Sequence, residues 1–403
     1  MTERNGVTNR NTVRTIMRFT ALSILAAFVL GPLPSASAQT RLTFVPAVSL
    51  TSVYDDNIFA ETEGSAGKML QLRPSFEGNF ESPRLTFLSL YSFDMLRSNH
   101  STLNTFDARR HALVDTKFRS TPLTTFGVAA RYDRSETPGD LELDTGILGP
   151  RRTAERWQVA PNVTRRMGPR SVMTVGYDWT LENELDLPSG TLHQGRVALS
   201  REWTPRMSIV GSYLGRYFVD DISDQTSHAL LAGITRAVAQ GTHFSFYAGP
   251  RITSYRDGVK PEISTSLARI TNRINMALDY WHGETIILGM PGPVAVDSGT
   301  ARFNWLLSPR LELGTSAGVT DVDTLDARRA RVYRTSLLGS WTTRGMYTVS
   351  ASYGVDYQQG DLRRVLEEDV LRHVFRVSLT VAPRLYRSIL PPEEAARVKG
   401  VAR

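Results

Sequence analysis

Along most of this chain apolar and polar residues alternate at every second position, and the pattern is clearest between Gly345 and Arg384. Tyr347, Val349, Ala351, Tyr353, Val355 and Tyr357 share one face, with Thr348, Ser350, Ser352, Gly354 and Asp356 between them. After a polar interval, Phe375, Val377, Leu379 and Val381 alternate with Arg376, Ser378 and Thr380. A period of two predicts strands with one greasy face and one small, polar face. Earlier in the chain Leu42, Phe44, Val48 and Leu50 mark a first strand over Leu42 to Val53. Leu70, Leu72, Phe76 and Phe80 mark a second, over about Leu70 to Phe80, and Leu85, Phe87, Tyr91, Phe93 and Met95 a third.

The connections between these runs come in two kinds. Ser82-Pro83-Arg84, Thr121-Pro122-Leu123, Gly168-Pro169-Arg170, Thr204-Pro205-Arg206 and Ser308-Pro309-Arg310 are tight; Gln240-Gly241-Thr242 and Thr343-Arg344-Gly345 play the same part without proline. Proline fixes φ and cannot donate to a ladder, so it suits a short hairpin connection. The alternate connections are longer and polar, among them Tyr54 to Lys68, Ser98 to Thr105, Asp133 to Arg151, Glu182 to Thr191, His282 to Asp297, Asp321 to Arg328 and Gln358 to Glu368. Short turns on one rim and long loops on the other are the mark of an all-β, antiparallel, up-and-down transmembrane barrel whose short turns face the periplasm. The pattern predicts eighteen strands. The interval Ile263 to Tyr280 is divided at Thr271-Asn272-Arg273 without proline or glycine, and as one strand it would lower the count to sixteen. Trp203, Trp305, Trp341 and Tyr347 beside the short turns, and Tyr132, Trp157, Trp179, Tyr217, Tyr280, Tyr333 and Tyr357 beside the long loops, fit two interfacial girdles.

The ends read differently. Arg10, Arg14 and Arg18 precede an apolar run from Phe19 to Leu30, and Ala36-Ser37-Ala38 is a small-residue cleavage site, so residues 1–38 are expected to be a signal peptide. The barrel is expected over 39–383. Residues 384–403 are expected to be a periplasmic tail in which Pro391-Pro392-Glu393-Glu394 opens, and Arg397 and Lys399 close, a short helix.

Composition excludes several chemistries. The 403 residues contain no cysteine, which removes disulfides, thiolate metal sites and cysteine nucleophiles. Of the net charge of +7, four arginines and one acid lie in residues 1–38, leaving +4, too little and too dispersed for nucleic acid. No phosphate loop, dinucleotide fingerprint or metal-ligand histidine spacing is present, and no cofactor is expected. Ser98-Asn99-His100 places a nucleophile type beside a base type, but neighbours on a strand do not face each other, so no catalytic residue is assigned. Asp55, Asp56 and Asn57 could ligate calcium, or form a turn-making Asx cluster.

The remaining candidate site is the lumen. Period-two parity places Arg73, Glu77, Asp94, Arg131, Asp178, Arg216, Arg251, Arg302, Glu312, Arg334, Asp356, Arg372 and Arg376 on the inward face, together with Arg269. Arginine outnumbers acid in this set. Rings of basic side chains favour anions; alternatively, the arginines pair with acids and simply solvate the wall. No loop reads as an obvious constriction folded into the barrel, Asp133 to Arg151 and His282 to Asp297 being the best candidates.

The run Val45 to Phe59 resembles the first strand and first loop of a family of outer-membrane β-barrel porins associated with bacterial exopolysaccharide export. Pro46 and Tyr54-Asp55-Asp56-Asn57-Ile58-Phe59 carry the likeness, and Leu72-Arg73-Pro74-Ser75-Phe76 is similar to the family's second strand. The resemblance implies an exit for a secreted polysaccharide through the outer membrane of a Gram-negative cell. Its implied partners are outer-membrane lipid, the barrel assembly machinery and a periplasmic or inner-membrane co-polymerase. The alternative from the residues is a general diffusion porin for small, anion-leaning solutes. A third reading is a membrane-embedded hydrolase using Ser98 and His100, or a purely structural barrel.

Overall fold

A computed structural model describes residues 41–383, apart from 62–63, 138–140, 142–144, 150, 186, 221–223, 326, 344–345 and 361–368. The expected signal peptide and C-terminal tail lie outside the described residues. Eighteen strands run in chain order: β1 (Arg41–Asp55), β2 (Gly67–Glu81), β3 (Leu85–Ser98), β4 (Thr105–Thr121), β5 (Thr124–Ser135), β6 (Ala154–Gly168), β7 (Ser171–Glu184), β8 (Gly190–Thr204), β9 (Met207–Asp220), β10 (Asp224–Ala239), β11 (Thr242–Thr253), β12 (Val259–Ile270), β13 (Ile274–Thr285), β14 (Val294–Ser308), β15 (Leu311–Asp323), β16 (Arg329–Thr342), β17 (Tyr347–Gln359) and β18 (Val370–Val381). Each pairs antiparallel with its sequence neighbour. β1 also pairs with β18, from Val48↔Val381 to Asp55↔Val374, which closes the sheet and leaves no edge.

The division of the Ile263 to Tyr280 interval is real. Thr271 replaces the missing proline: its backbone N–H donates to Ile274 O (2.8 Å) and its hydroxyl accepts from Ile274 N (2.9 Å), a side-chain-stabilised turn. The proline turns have their own device. Proline at the first central position forbids the positive φ that the preferred primed hairpin turns need there. The strand before four of these turns carries a register irregularity at Arg119/Thr121, Arg166/Gly168, Glu202/Thr204 and Leu306/Ser308, an extra residue that adds local twist. At the turn without proline, Gly241 takes a φ of 68°, and a Cβ there would come within 2.2 Å of Ile270 O.

The outside of the barrel is apolar. Leu50, Leu72, Tyr91, Phe126, Val175, Leu199, Leu230, Phe246, Leu278, Phe303, Leu337 and Val377 are all exposed. In water such a surface would be untenable; in hydrocarbon it is the favoured one, since every backbone group is paired within the closed sheet. Trp203, Trp305, Trp341 and Tyr347 project from this face near the short turns, and Tyr177, Tyr217, Tyr280 and Tyr333 near the long loops. Several tyrosine hydroxyls at the upper level bond outward-facing neighbours: Tyr177 to His193 (2.6 Å), Tyr213 to His228 (2.7 Å) and Tyr353 to His373 (2.7 Å). The strands are 12 to 17 residues long. A tilted strand needs only about 9–11 to cross a bilayer, so the ladders continue past the membrane on the long-loop side.

Candidate functional site: a lumen narrowed by inward loops

The inner face begins as small hydroxylated positions. Ser49 bonds Thr380 (2.8 Å), Thr51 bonds Ser378 (2.9 Å) and Ser316 bonds Ser336 (2.7 Å) across adjacent strands. These short side chains leave room in the lumen and keep it wet. Nearer the long loops the wall becomes ionic. Arg73 lies against Asp94 (2.5 and 2.8 Å), and His111 and Arg131 share Asp133, the histidine at 2.6 Å. Arg302 pairs with Asp279 (2.7 Å), Arg334 with Asp356 (2.8 Å) and Arg372 with Asp55 (2.6 Å). Arg216 donates to Glu262 (2.8 Å) and to Gln194 (3.1 Å), and Arg251 lies 3.1 Å from Glu284 and 3.6 Å from Glu262. Asp178 accepts from Gln158 (2.8 Å) and Thr180 (3.0 Å).

Strand register places all of the sequence-derived candidates except Arg269 on the face opposite the exposed apolar residues. Glu77 is opposite Val45, Glu312 opposite Leu306, and Arg376 opposite Ser352. Arg269 is the correction: Leu267 and Arg269 share the outer face, and Arg269 is exposed beside the Thr271 turn. Of the two readings of the wall arginines, most of them match the second, pairing with acids. Most of the acids they face, Asp55, Asp133, Glu182, Glu262 and Glu284, sit at inward positions near strand ends that the sequence pattern assigns to loops or leaves unassigned, and Asp279 faces inward from the middle of β13. Burying an unpaired charge is costly, so the paired arrangement is the stable one.

No loop reads from sequence as an obvious constriction, yet two fold inward. The β5–β6 connection enters the barrel. Ile147, 2% exposed, packs with Val294, Val296, Val322, Ala330 and Val332 of β14–β16, on the opposite side of the ring from β6. Leu148 packs with Ala60 and Val370, and its backbone N–H donates to the Gln358 side chain (2.8 Å). Gly146 O accepts from Arg334 (3.2 Å), and Leu141 O accepts from Arg156 (2.8 Å), which also holds Glu182 (2.6 Å). The β13–β14 connection folds in as well. Ile287 and Met290 join the Ile147 cluster, with Trp281 against it. Leu288 packs on Leu141 and Ala154, and Ile286 on Leu192 and Phe218 of β8 and β9. Both connections fall within the intervals named from sequence. What periodicity could not show is that their isolated apolar residues point inward.

The Tyr54–Phe59 motif is part of the same layer. Tyr54 faces outward, while Asp55, Asn57 and Ile58 are buried. Asp55 accepts from Arg372 and from Asn57 N (3.1 Å), an Asx turn, so its oxygens are already occupied. Asn57 exchanges hydrogen bonds with Glu61 (2.6 and 3.0 Å), and Asp56 accepts from His373 N (2.6 Å). Ile58 packs with the inward residues Val53, Met69, Leu96 and Val374. At Ser98 the serine oxygen accepts from His100 N (3.1 Å), whereas the His100 ring turns to Ala66 O (3.0 Å). The two do not form a nucleophile–base pair.

A closed antiparallel barrel with an apolar exterior, interfacial aromatics and a polar interior is an outer-membrane barrel, and it places the protein in the outer membrane of a Gram-negative cell. No family model matches the chain, and no curated protein sequence matches it. Among solved structures the chain is similar to Pseudomonas aeruginosa OccK7 (OpdD), at 10% identity and a TM-score of 0.49 over 87% of this chain and 100% of that one. It is also similar to Pseudomonas aeruginosa OpdQ, at 12% identity and a TM-score of 0.45 over 86% and 98%.

Proposed function

We propose that the protein is a diffusion channel for small hydrophilic solutes, with its outer mouth narrowed by the β5–β6 and β13–β14 loops. The observation that carries this reading is the Ile147–Ile287–Met290 cluster, which seats two loops from separate parts of the barrel against the inner wall. An eighteen-strand barrel is wide enough for an aqueous channel, and folded-in loops set its size limit. The wall below them offers hydroxyls and paired charges, which hydrate a passing solute without holding it. Because most of the wall arginines face acids, the reading favours weak charge selectivity over a strong preference for anions.

Export of a long polysaccharide, as the Tyr54–Phe59 resemblance implies, asks for the opposite: a lumen clear of inward loops. The two readings separate in a liposome-swelling assay on the purified, full-length protein. Monosaccharides and amino acids are expected to enter at rates that fall steeply with size, and oligosaccharides of more than a few units to be excluded. Passage of a long dextran at a rate near that of glucose would overturn the small-solute reading.

A further inference from the structure

On the short-turn side of the barrel four arginines point away from the lumen. Arg165 on β6, Arg201 on β8, Arg236 on β10 and Arg269 on β12 are exposed on the outer face, close to the short turns. Among the described residues none of them makes a side-chain hydrogen bond or an ion pair. This sets them apart from the paired arginines of the wall. Their cross-strand neighbours are neutral: Met173 and Thr124, Ile209 and Ser171, Phe244 and Met207, Met276 and Thr242. On β14 and β16 the same rim carries Trp305 and Trp341 instead. The arginines therefore occupy one continuous arc of the barrel.

Their height follows from the register. Trp157, His193 and His228 lie on the outer face eight residues before Arg165, Arg201 and Arg236 respectively. Eight residues of a strand tilted by about 40° descend about 20 Å. With the first set at the outer boundary of the apolar belt, the guanidinium groups reach the inner boundary, where Trp203 marks the interface beside Arg201.

We propose that this arc binds the phosphate headgroups of anionic phospholipid in the periplasmic leaflet. Guanidinium forms paired, charge-assisted hydrogen bonds to phosphate oxygens. With Val163, Leu199, Ile234 and Leu267 directly above, the acyl chains have an apolar wall to lie on. No acid is paired across the ladder with any of the four to receive the ammonium of a zwitterionic headgroup, so the arc selects net negative charge. A soluble partner is disfavoured because the arginines face sideways into the bilayer instead of down into the periplasm.

The test is native mass spectrometry of the full-length protein released from nanodiscs holding equal phosphatidylglycerol and phosphatidylethanolamine. Phosphatidylglycerol is expected to be retained preferentially, and each of R165Q, R201Q, R236Q and R269Q to lower that preference by about fivefold at its site. The quadruple variant is expected to retain both lipids alike. If the quadruple variant does not fold, the single variants and a salt titration of the natural protein give the same readout. Equal retention of the two lipids by the natural protein, or unchanged preference in the variants, would overturn the proposal. Equal retention together with salt-sensitive binding of polyglutamate would also overturn it and assign the arginines to an acidic protein.

Discussion

Emptying the hydrophobic seat of the β5–β6 loop is expected to widen the channel. Ile147 and Leu148 are 2% and 3% exposed and pack into two separate clusters on the inner wall. Truncating a buried Ile or Leu to Ala costs about 2–5 kcal/mol. Taking the lower figure for each, because a loop can partly settle into the space, I147A/L148A weakens docking by about 4 kcal/mol, roughly a thousandfold shift between docked and released loop. The hydrogen bonds beside the truncated pair, Arg334 to Gly146 O and Leu148 N to Gln358, contribute only about 1–3 kcal/mol each, and the third, Arg156 to Leu141 O, holds the loop six residues before Ile147. Single-channel recording in planar bilayers should show higher mean conductance with frequent brief fluctuations, and the swelling assay should admit larger sugars. Leu199→Ala, on the lipid face, controls for general loosening of the barrel. If the double variant is folded, with unchanged conductance and unchanged size limit, the loop does not narrow the pore and the reasoning fails.

Further expectations concern charge. Asp94→Asn leaves Arg73 without its carboxylate, so the reversal potential in a potassium chloride gradient should move toward anion selectivity. Asp55→Ala strands the buried guanidinium of Arg372 at the β1–β18 seam and should cost about 3–5 kcal/mol, read as a lower urea midpoint for the folded, heat-modifiable form. Replacing both partners by apolar residues should recover much of that loss. Glu136, at the root of the β5–β6 loop, has its carboxyl pKa raised by burial, against the opposing pull of Arg151 and Arg134. Its contribution to the docked loop is then fully present below the free-carboxyl range and lost as pH rises through the raised value. Conductance should accordingly fall on acidification, and Glu136→Gln should flatten that dependence.

The barrel was legible in the sequence because its governing rule is local. Period two fixes which residue faces lipid, and one misplaced residue would exchange the faces; Tyr347 to Tyr357 and Phe375 to Val381 stand in the structure with the faces their spacing predicts. The split at Thr271-Asn272-Arg273 stands too, and the structure supplies the device the sequence reading lacked, a hydroxyl that replaces proline. Arg269 was misplaced because the apolar residues near that turn disagree in parity: Leu267 puts Arg269 on the outer face, whereas Ile270 beside the turn suggests the inner one. The shortage of acids among the named lumen candidates has a different reason. Strands that outrun the membrane carry their acids at Asp133, Glu182 and Glu284, where a membrane-length estimate assigns them to loops.

Sequence by itself determined the closed barrel, its rims and its lipid face, since each depends on residues one or two positions apart. Only the tertiary structure decided what the lumen contains. The partners that seat Ile147 are Val294, Val322 and Val332, and Leu148 meets Gln358, far along the chain. A loop with three or four unevenly spaced apolar residues has no period to declare its direction. It turns inward because the opposite wall, assembled from strands that come much later in the chain, offers an apolar surface on which those side chains can leave water.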